Sequence, residues 1–312
     1  MNRLNVVFMG TPEFALPSME KILNSRHRIV GVVTQPDRPR GRGKKLAPTP
    51  VKQFALDHHL SPILQPEKMK DPDFQARLAA LQADVFVVVA FRILPEAVFT
   101  MPAKGTINLH PSLLPKYRGA APINWTIIRG ENLTGITTIF LRKEIDAGNI
   151  IFQREMPVYP DDTAGTLHDR LAPAGGDLLV ETLDAIAEER VEVTAQDESL
   201  VSSAPKLSKA ICRLNFDQPA RQVRQWIHGL SPFPGAYTFF RGEILKLYHA
   251  EARDIDHQRP PGTILKADAS GLWVACQSGA IAVLELQLPG RKRLTAAEFL
   301  RGTEMGVGEM LG

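Results

Sequence analysis

Ala83-Asp84-Val85-Phe86-Val87-Val88-Val89-Ala90 is apolar at every position after Asp84. A strand with one wet face alternates polar and apolar residues. An unbroken apolar run of this length, bounded by polar residues, reads as a strand covered on both sides. The longest strongly apolar run, Val85 to Phe91, spans seven residues, far short of the ~20 that a membrane-spanning helix needs. Working outward, Leu4–Met9 and Arg28–Thr34 read as strands, with a helix between them from Thr11-Pro12 to about Ser25. Thr11 stands where an N-cap would, with Pro12 at the first helical position. Pro50–His59 and Asp73–Gln82 read as helices, and Pro62–Leu64 and Gly105–Leu109 as strands. This β-α-β-α order predicts an α/β domain with a Rossmann-like, mostly parallel sheet. Ala120–Arg129 continues as helix, Gly135–Leu141 and Asn149–Met156 as strands, and Thr163–Glu189 as a long helix. Pro173 and Gly175-Gly176 are expected to interrupt or kink that helix.

Residues 190–208 are polar and without periodicity, which marks a linker between a domain at 1–189 and a second at 209–312. In the second, a helix at Pro219–Gly229 precedes five short strand patterns: Gly235–Arg241, Ile244–Ala252, Gly262–Ala267, Leu272–Gln277 and Ile281–Leu288. Strands so short and closely spaced predict a small antiparallel barrel. Thr295 is placed to cap a final helix ending at Gly302.

Composition bounds the function. The 312 residues are 44% hydrophobic and 23% charged, as in a globular protein, and their length suits two domains. The first residues hold too short an apolar stretch for a secretion signal, and Cys212 and Cys276 alone make neither a disulfide framework nor a Cys-based zinc site. A cytoplasmic location is the resulting expectation. Residues 1–205 hold 23 basic and 24 acidic side chains, whereas 206–312 hold 14 and 10. The net charge of +3 therefore conceals a basic second domain.

Gly10-Thr11-Pro12-Glu13-Phe14-Ala15 lacks the second and third glycines of a dinucleotide fingerprint, and Pro12 removes an N–H that a phosphate would use. Arg38, Arg40, Arg42, Lys44 and Lys45 put five cations in eight residues. The surrounding Pro and Gly make this stretch a poor helix or strand, predicting a cationic loop. The plainer alternative is a solvated surface loop, but so many adjacent cations suit a phosphate backbone. Asn108-Leu109-His110 leaves the fifth strand into a Pro-bracketed loop, at the strand end where open parallel sheets bind ligands. Two residues apart, Asn108 and His110 share a side of an extended chain. Asn108 suits a developing oxyanion and His110 a mobile proton. Asp146, in a turn between two strands, is a further candidate. No His/Cys/carboxylate cluster has metal-ligand spacing.

Asn108-x-His110-x-Ser112-Leu113-Leu114-Pro115, followed 36 residues after His110 by Asp146-Ala147-Gly148, resembles the folate-dependent formyltransferases. Similarity also covers Phe8–Ala15, Thr34–Leu46, Leu114–Ile123, Lys206–Lys209 and Pro232-x-Pro234-x-Ala236, so it extends over nearly the whole chain. The resemblance implies direct transfer of the formyl group of 10-formyltetrahydrofolate, with no covalent enzyme intermediate and no metal. The acceptor implied is the α-amino group of methionyl initiator tRNA, for translation initiation. The alternative is another amine, on a ribonucleotide or an amino sugar. A catalytic domain at 1–189 and an OB-like, tRNA-binding barrel at 209–312 follow from the same resemblance, with neither a membrane nor a stable protein partner.

By the same resemblance, Asn108, His110 and Asp146 are catalytic. Val88, Val89, Ala90, Phe91, Ile93, Leu94, Ser112, Leu113, Leu114 and Pro115 would contact folate. Arg38, Arg40, Arg42, Lys44, Lys45, Lys206 and Lys209 would contact tRNA, Arg42 entering the end of the acceptor stem. The 91–95 loop departs from the commoner pattern: Arg92 replaces a glycine and one residue is missing. Glu144, also in place of a glycine, adds a carboxylate near Asp146.

Overall fold

The computed structural model describes residues 2–40 and 45–312, with the side chains of Arg40 and Lys45 outside the description. In chain order the first elements are β1 (Asn5–Gly10), α1 (Leu16–Leu23), β2 (Arg28–Val33), β3 (Arg38–Arg40), β4 (Lys45–Ala47), α2 (Pro50–Asp57), β5 (Ile63–Leu64) and α3 (Pro72–Ala79). They are followed by β6 (Val85–Val89), α4 (Glu96–Phe99), β7 (Thr106–His110), β8 (Arg118–Gly119), α5 (Pro122–Ile128), β9 (Leu133–Phe140), β10 (Ile150–Pro157), α6 (Ala164–Ala187) and β11 (Ser203–Ala204). The chain ends with α7 (Ala220–Gly229), β12 (Ala236–Phe240), β13 (Glu243–Arg253), β14 (Ile264–Asp268), β15 (Gly271–Ala275), β16 (Ala280–Gln287), β17 (Leu294–Thr295) and α8 (Ala296–Gly302).

These elements form two compact units. One takes residues up to Gly119, Leu133–Pro157 and His168–Ala204; the other takes Ala120–Asn132, Val158–Leu167 and Pro205–Gly312. In the first unit a seven-stranded sheet runs β10-β9-β7-β6-β1-β2-β5. The five strands from β5 to β7 are parallel, and β9 and β10 extend the sheet antiparallel. The apolar run is β6, buried at every residue between β1 and β7. Alternate residues Val7, Met9, Phe86 and Val88 join Phe74 and Leu78 of α3 in one core. α6 presses on the sheet through Gly175, where a Cβ would meet Leu109 at 2.5 Å.

Three local expectations are corrected. Thr11 does not cap a helix: its hydroxyl has no hydrogen-bond partner, and Pro12 is extended with ψ 176°. A 3-10 turn, Glu13–Ala15, comes first, and α1 begins at Leu16. Pro17 explains the late start, since it lacks an N–H and is tolerated only in a helix's first turn. Pro173 does not interrupt α6, which runs from Ala164 to Ala187. The cationic stretch is not all loop. Arg38, Pro39 and Arg40 pair antiparallel with Ala47, Leu46 and Lys45. Pro39 is tolerated because a two-stranded ribbon consists only of edges.

In the second unit an antiparallel sheet runs β12-β13-β16-β15-β14, with β17 alongside β16. The final residues close it. Leu311 N–H donates to Gly262 C=O (2.9 Å) beside β14, and Gly312 N–H donates to Phe239 C=O (3.1 Å) of β12. Val223 and Ile227 of α7 pack on Leu245, Leu247 and Ile281 in the barrel core. Ile128 of α5 belongs to this core, and Trp125 packs against it, edge-on to Trp226 with ring centres 5.8 Å apart.

Candidate active site

β7 carries the site because its neighbours bury it: Val88 of β6 flanks Asn108 on one side and Ile139 of β9 on the other. Asn108 is 9% exposed, and its side chain makes no hydrogen bond among the described residues. That leaves a buried amide donor for a substrate oxygen. His110 is 4% exposed, and its Nε2 lies 2.9 Å from the Tyr117 carbonyl oxygen. A carbonyl only accepts, so Nε2 carries a hydrogen and the neutral ring keeps its lone pair at Nδ1. Nδ1 in turn lies 3.6 Å from Asp146 Oδ2. This exceeds a direct hydrogen bond, and it becomes an ion-pair contact only when the ring is protonated.

Asp146 occupies a left-handed conformation, φ 53°, which Asp tolerates better than most residues. Its Oδ2 accepts a 2.9 Å hydrogen bond from Gly119 N–H. Gly148 closes the turn where a Cβ would sit 1.6 Å from the Phe140 carbonyl oxygen, so only glycine fits. Glu144 is exposed beside it.

Thr137 and Gln153 fasten the loop after β7. Thr137 Oγ1 donates to Ser112 C=O (2.6 Å) and accepts from Leu114 N–H (3.2 Å) and from Gln153 Nε2 (3.0 Å). Gln153 also donates to Leu114 C=O at 2.8 Å. Ser112 is fully buried and spends its hydroxyl on Lys116 C=O (2.7 Å), while Leu114 is buried and Leu113 and Pro115 are half-buried.

At the end of β6, Val88 and Val89 are buried, whereas Ala90 is exposed with φ 48°. In the loop beyond, Leu94 is buried, Phe91 is half-buried and Ile93 is 72% exposed. The left-handed backbone of Ala90 and the exposed Ile93 side chain thus follow the carboxyl end of β6. Arg92 turns away into the chain at 66–67, where its guanidinium donates to Pro66 C=O and Glu67 C=O. Burial pushes its pKa down, and nearby Glu67 works against that shift.

Of the cations, Arg38 is exposed at the ribbon, and Arg40 and Lys45 are placed by their backbones alone. Arg42 and Lys44 lie outside the described residues. Asp37 anchors the ribbon's root, accepting from Lys52 Nζ (2.6 Å) and Gln65 Nε2 (2.8 Å). The Lys52 bond, then the Gln65 bond, hold its carboxyl below the usual range. Lys206 and Lys209 are exposed on the second unit. No group of three or more His, Cys, Asp or Glu side chains is placed to hold a metal among the described residues, and no helix described is long and apolar enough to cross a membrane.

Sequence reasoning missed Thr137, Gln153 and, above all, Gln196. Gln196 Nε2 donates to Asp146 C=O (2.7 Å) and Gly148 C=O (2.8 Å). A glutamine in a polar stretch without periodicity carries no sequence signal of such a role.

Residues 3–183 match the family model described as formyl transferase, and residues 206–304 match that of the formyl transferase C-terminal domain. A methionyl-tRNA formyltransferase of Bacteroides fragilis is 47% identical over 308 residues, covering 96% of this chain and 95% of its own. One from Geobacter sulfurreducens is 44% identical, covering 100% and 98%. Among solved structures, HypX from Aquifex aeolicus in complex with tetrahydrofolic acid superposes with a TM-score of 0.66 at 18% identity, covering 96% of this chain and 48% of HypX. That likeness speaks for the fold, whereas the near full-length sequence matches decide the membership: the chain belongs to the formyl transferase family.

Proposed function

We propose that this chain moves the formyl group of 10-formyltetrahydrofolate to the α-amino group of methionyl initiator tRNA, in the cytoplasm where that tRNA serves initiation. The observation that carries the reading is the 47% identity, across both domains, to an enzyme named for this reaction. The amine nitrogen bonds to the formyl carbon, the carbon's bond to folate N10 breaks, and the proton lost by the amine is matched by one gained at N10.

Each site residue has a task in that exchange. Asn108, buried and with its amide unspent, donates to the carbonyl oxygen as negative charge grows there. Oxyanion donors of this kind are worth about 10²–10³ in rate. His110 receives the amine's proton at Nδ1, because Nε2 is committed to Tyr117, and Asp146 at 3.6 Å stabilises the resulting imidazolium. The 88–94 and 112–115 segments hold the folate. The cations at 38–45, with Lys206 and Lys209, take the tRNA backbone, so affinity for tRNA falls as salt rises. The same reading makes 1–189 the catalytic domain, 190–208 a linker and 209–312 the tRNA-facing domain.

The test follows the label. The protein is incubated with 10-formyltetrahydrofolate labelled in the formyl carbon and with methionyl initiator tRNA, a ribonucleotide amine, an amino sugar nucleotide or no acceptor. Label on methionine alone is expected. Label on either small amine, or released as formate at the same rate without an acceptor, rejects the proposal.

A further inference from the structure

We propose that Gln196 is a positioning residue that sets Asp146 against His110; the proposal rests on the formyl-transfer reading above. Its side-chain amide is saturated. Nε2 donates to the carbonyls of Asp146 (2.7 Å) and Gly148 (2.8 Å), and Oε1 accepts from Arg118 Nε (3.0 Å) and Nη2 (2.8 Å). The chemistry permits one orientation only, since carbonyls cannot donate and a guanidinium cannot accept.

This amide joins two segments that must stay in register. One is the turn in which Asp146 is held left-handed at φ 53°; the other is Arg118-Gly119. Gly119 N–H aims the Asp146 carboxylate at 2.9 Å. Gln196 thus braces both ends of that aiming bond, through the Asp146 carbonyl at one end and the Arg118 side chain at the other, where the pairing of β8 with β11 and the Glu198 carboxylate also hold Arg118. The carboxylate then stands 3.6 Å from His110 Nδ1. A misplacement of ~1 Å at such a contact can cost ~10²-fold in rate. Gln196 touches neither His110 nor the Asp146 carboxylate in any described hydrogen bond, so its effect passes through backbone placement.

Two substitutions of similar length separate this role from general stability. Gln196→Glu keeps an acceptor for Arg118 but sets a carboxylate against two carbonyl oxygens. Gln196→Met removes every hydrogen bond. Single-turnover formylation at saturating substrates, tetrahydrofolate affinity and melting temperature are measured for both, with Asp146→Asn in parallel. Each Gln196 variant should be slowed at least roughly tenfold, with folate affinity changed by less than about threefold. Gln196→Glu should melt above Gln196→Met, having kept the Arg118 pair, and yet be no faster. Rates within threefold of the parent, or rates ranked in the same order as melting temperatures, overturn the proposal. If Asp146→Asn is also at full rate, the site reading falls and takes the proposal with it; full rates in the Gln196 variants alone reject only the role of Gln196.

Discussion

Gly148 leaves no space for even one methyl, with the Phe140 carbonyl 1.6 Å from where a Cβ would stand. Gly148→Ala must therefore shift the turn that bears Asp146. We expect turnover to fall about a hundredfold or more, while the far-UV circular dichroism spectrum is unchanged; a near-parental rate would show that the turn tolerates displacement. Asn108→Ala removes the donor proposed for the oxyanion and no hydrogen bond that the structure records among the described residues. Its expected loss is about 10²–10³ in turnover, with folate and tRNA affinity kept, as equilibrium binding and saturating kinetics would show. Asn108 and His110 stand out in the sequence by residue type and by their place at the end of a parallel strand, whereas Asp146 is distinguished only through the family resemblance. Gln196 does not stand out, since its value comes from four hydrogen bonds to three distant residues, Arg118, Asp146 and Gly148.

Thr137 of β9 shows how an element carries a loop that is not its own. Thr137→Val leaves the shape nearly unchanged but strips partners from Leu114 N–H and Ser112 C=O. An unpaired buried group costs about 1–3 kcal/mol. Denaturant unfolding should register a loss of that order and folate binding should weaken; parental values for both would mean that the 112–115 loop holds itself. Strand and helix order was legible from hydrophobic pattern, as β6 and the five barrel strands illustrate. So was the cap of α8, where Thr295 and Glu298 close a reciprocal capping box. Local chemistry misled where a neighbour overrode it. Pro17 delays α1 beyond the apparent cap at Thr11, and α6 runs on past Pro173, with Gly175 against Leu109 of the sheet and Gly176 against Pro17 and Lys21 of α1. The pairing of Arg38–Arg40 with Lys45–Ala47 was hidden by proline and glycine content.

At the scale of the whole molecule, pH acts through buried groups. His228 in α7 is 1% exposed and stacked on His249 with ring centres 4.7 Å apart. Burial, reinforced by Arg224 and His249, pushes its pKa down to about 4. The unfolded ring binds its proton near pH 6.5. Between these values the unfolded chain holds more protons, so stability is full above pH 6.5 and falls as pH drops toward 4. The loss from this residue is on the order of 3 kcal/mol. Denaturant midpoints across that range should slope more steeply for the parent than for His228→Asn; equal slopes would remove His228 as the cause. The chain passes between its two units five times, at 119, 132, 157, 167 and 204. Trp125 and Ile128, which pack in or on the second core, are encoded far upstream of it. For inheritance, this means that the two halves are not interchangeable cassettes. A recombination joint at residue 205 would unite a barrel with another lineage's version of its own core, and a viable exchange must bring residues 120–132 and 158–167 along with it.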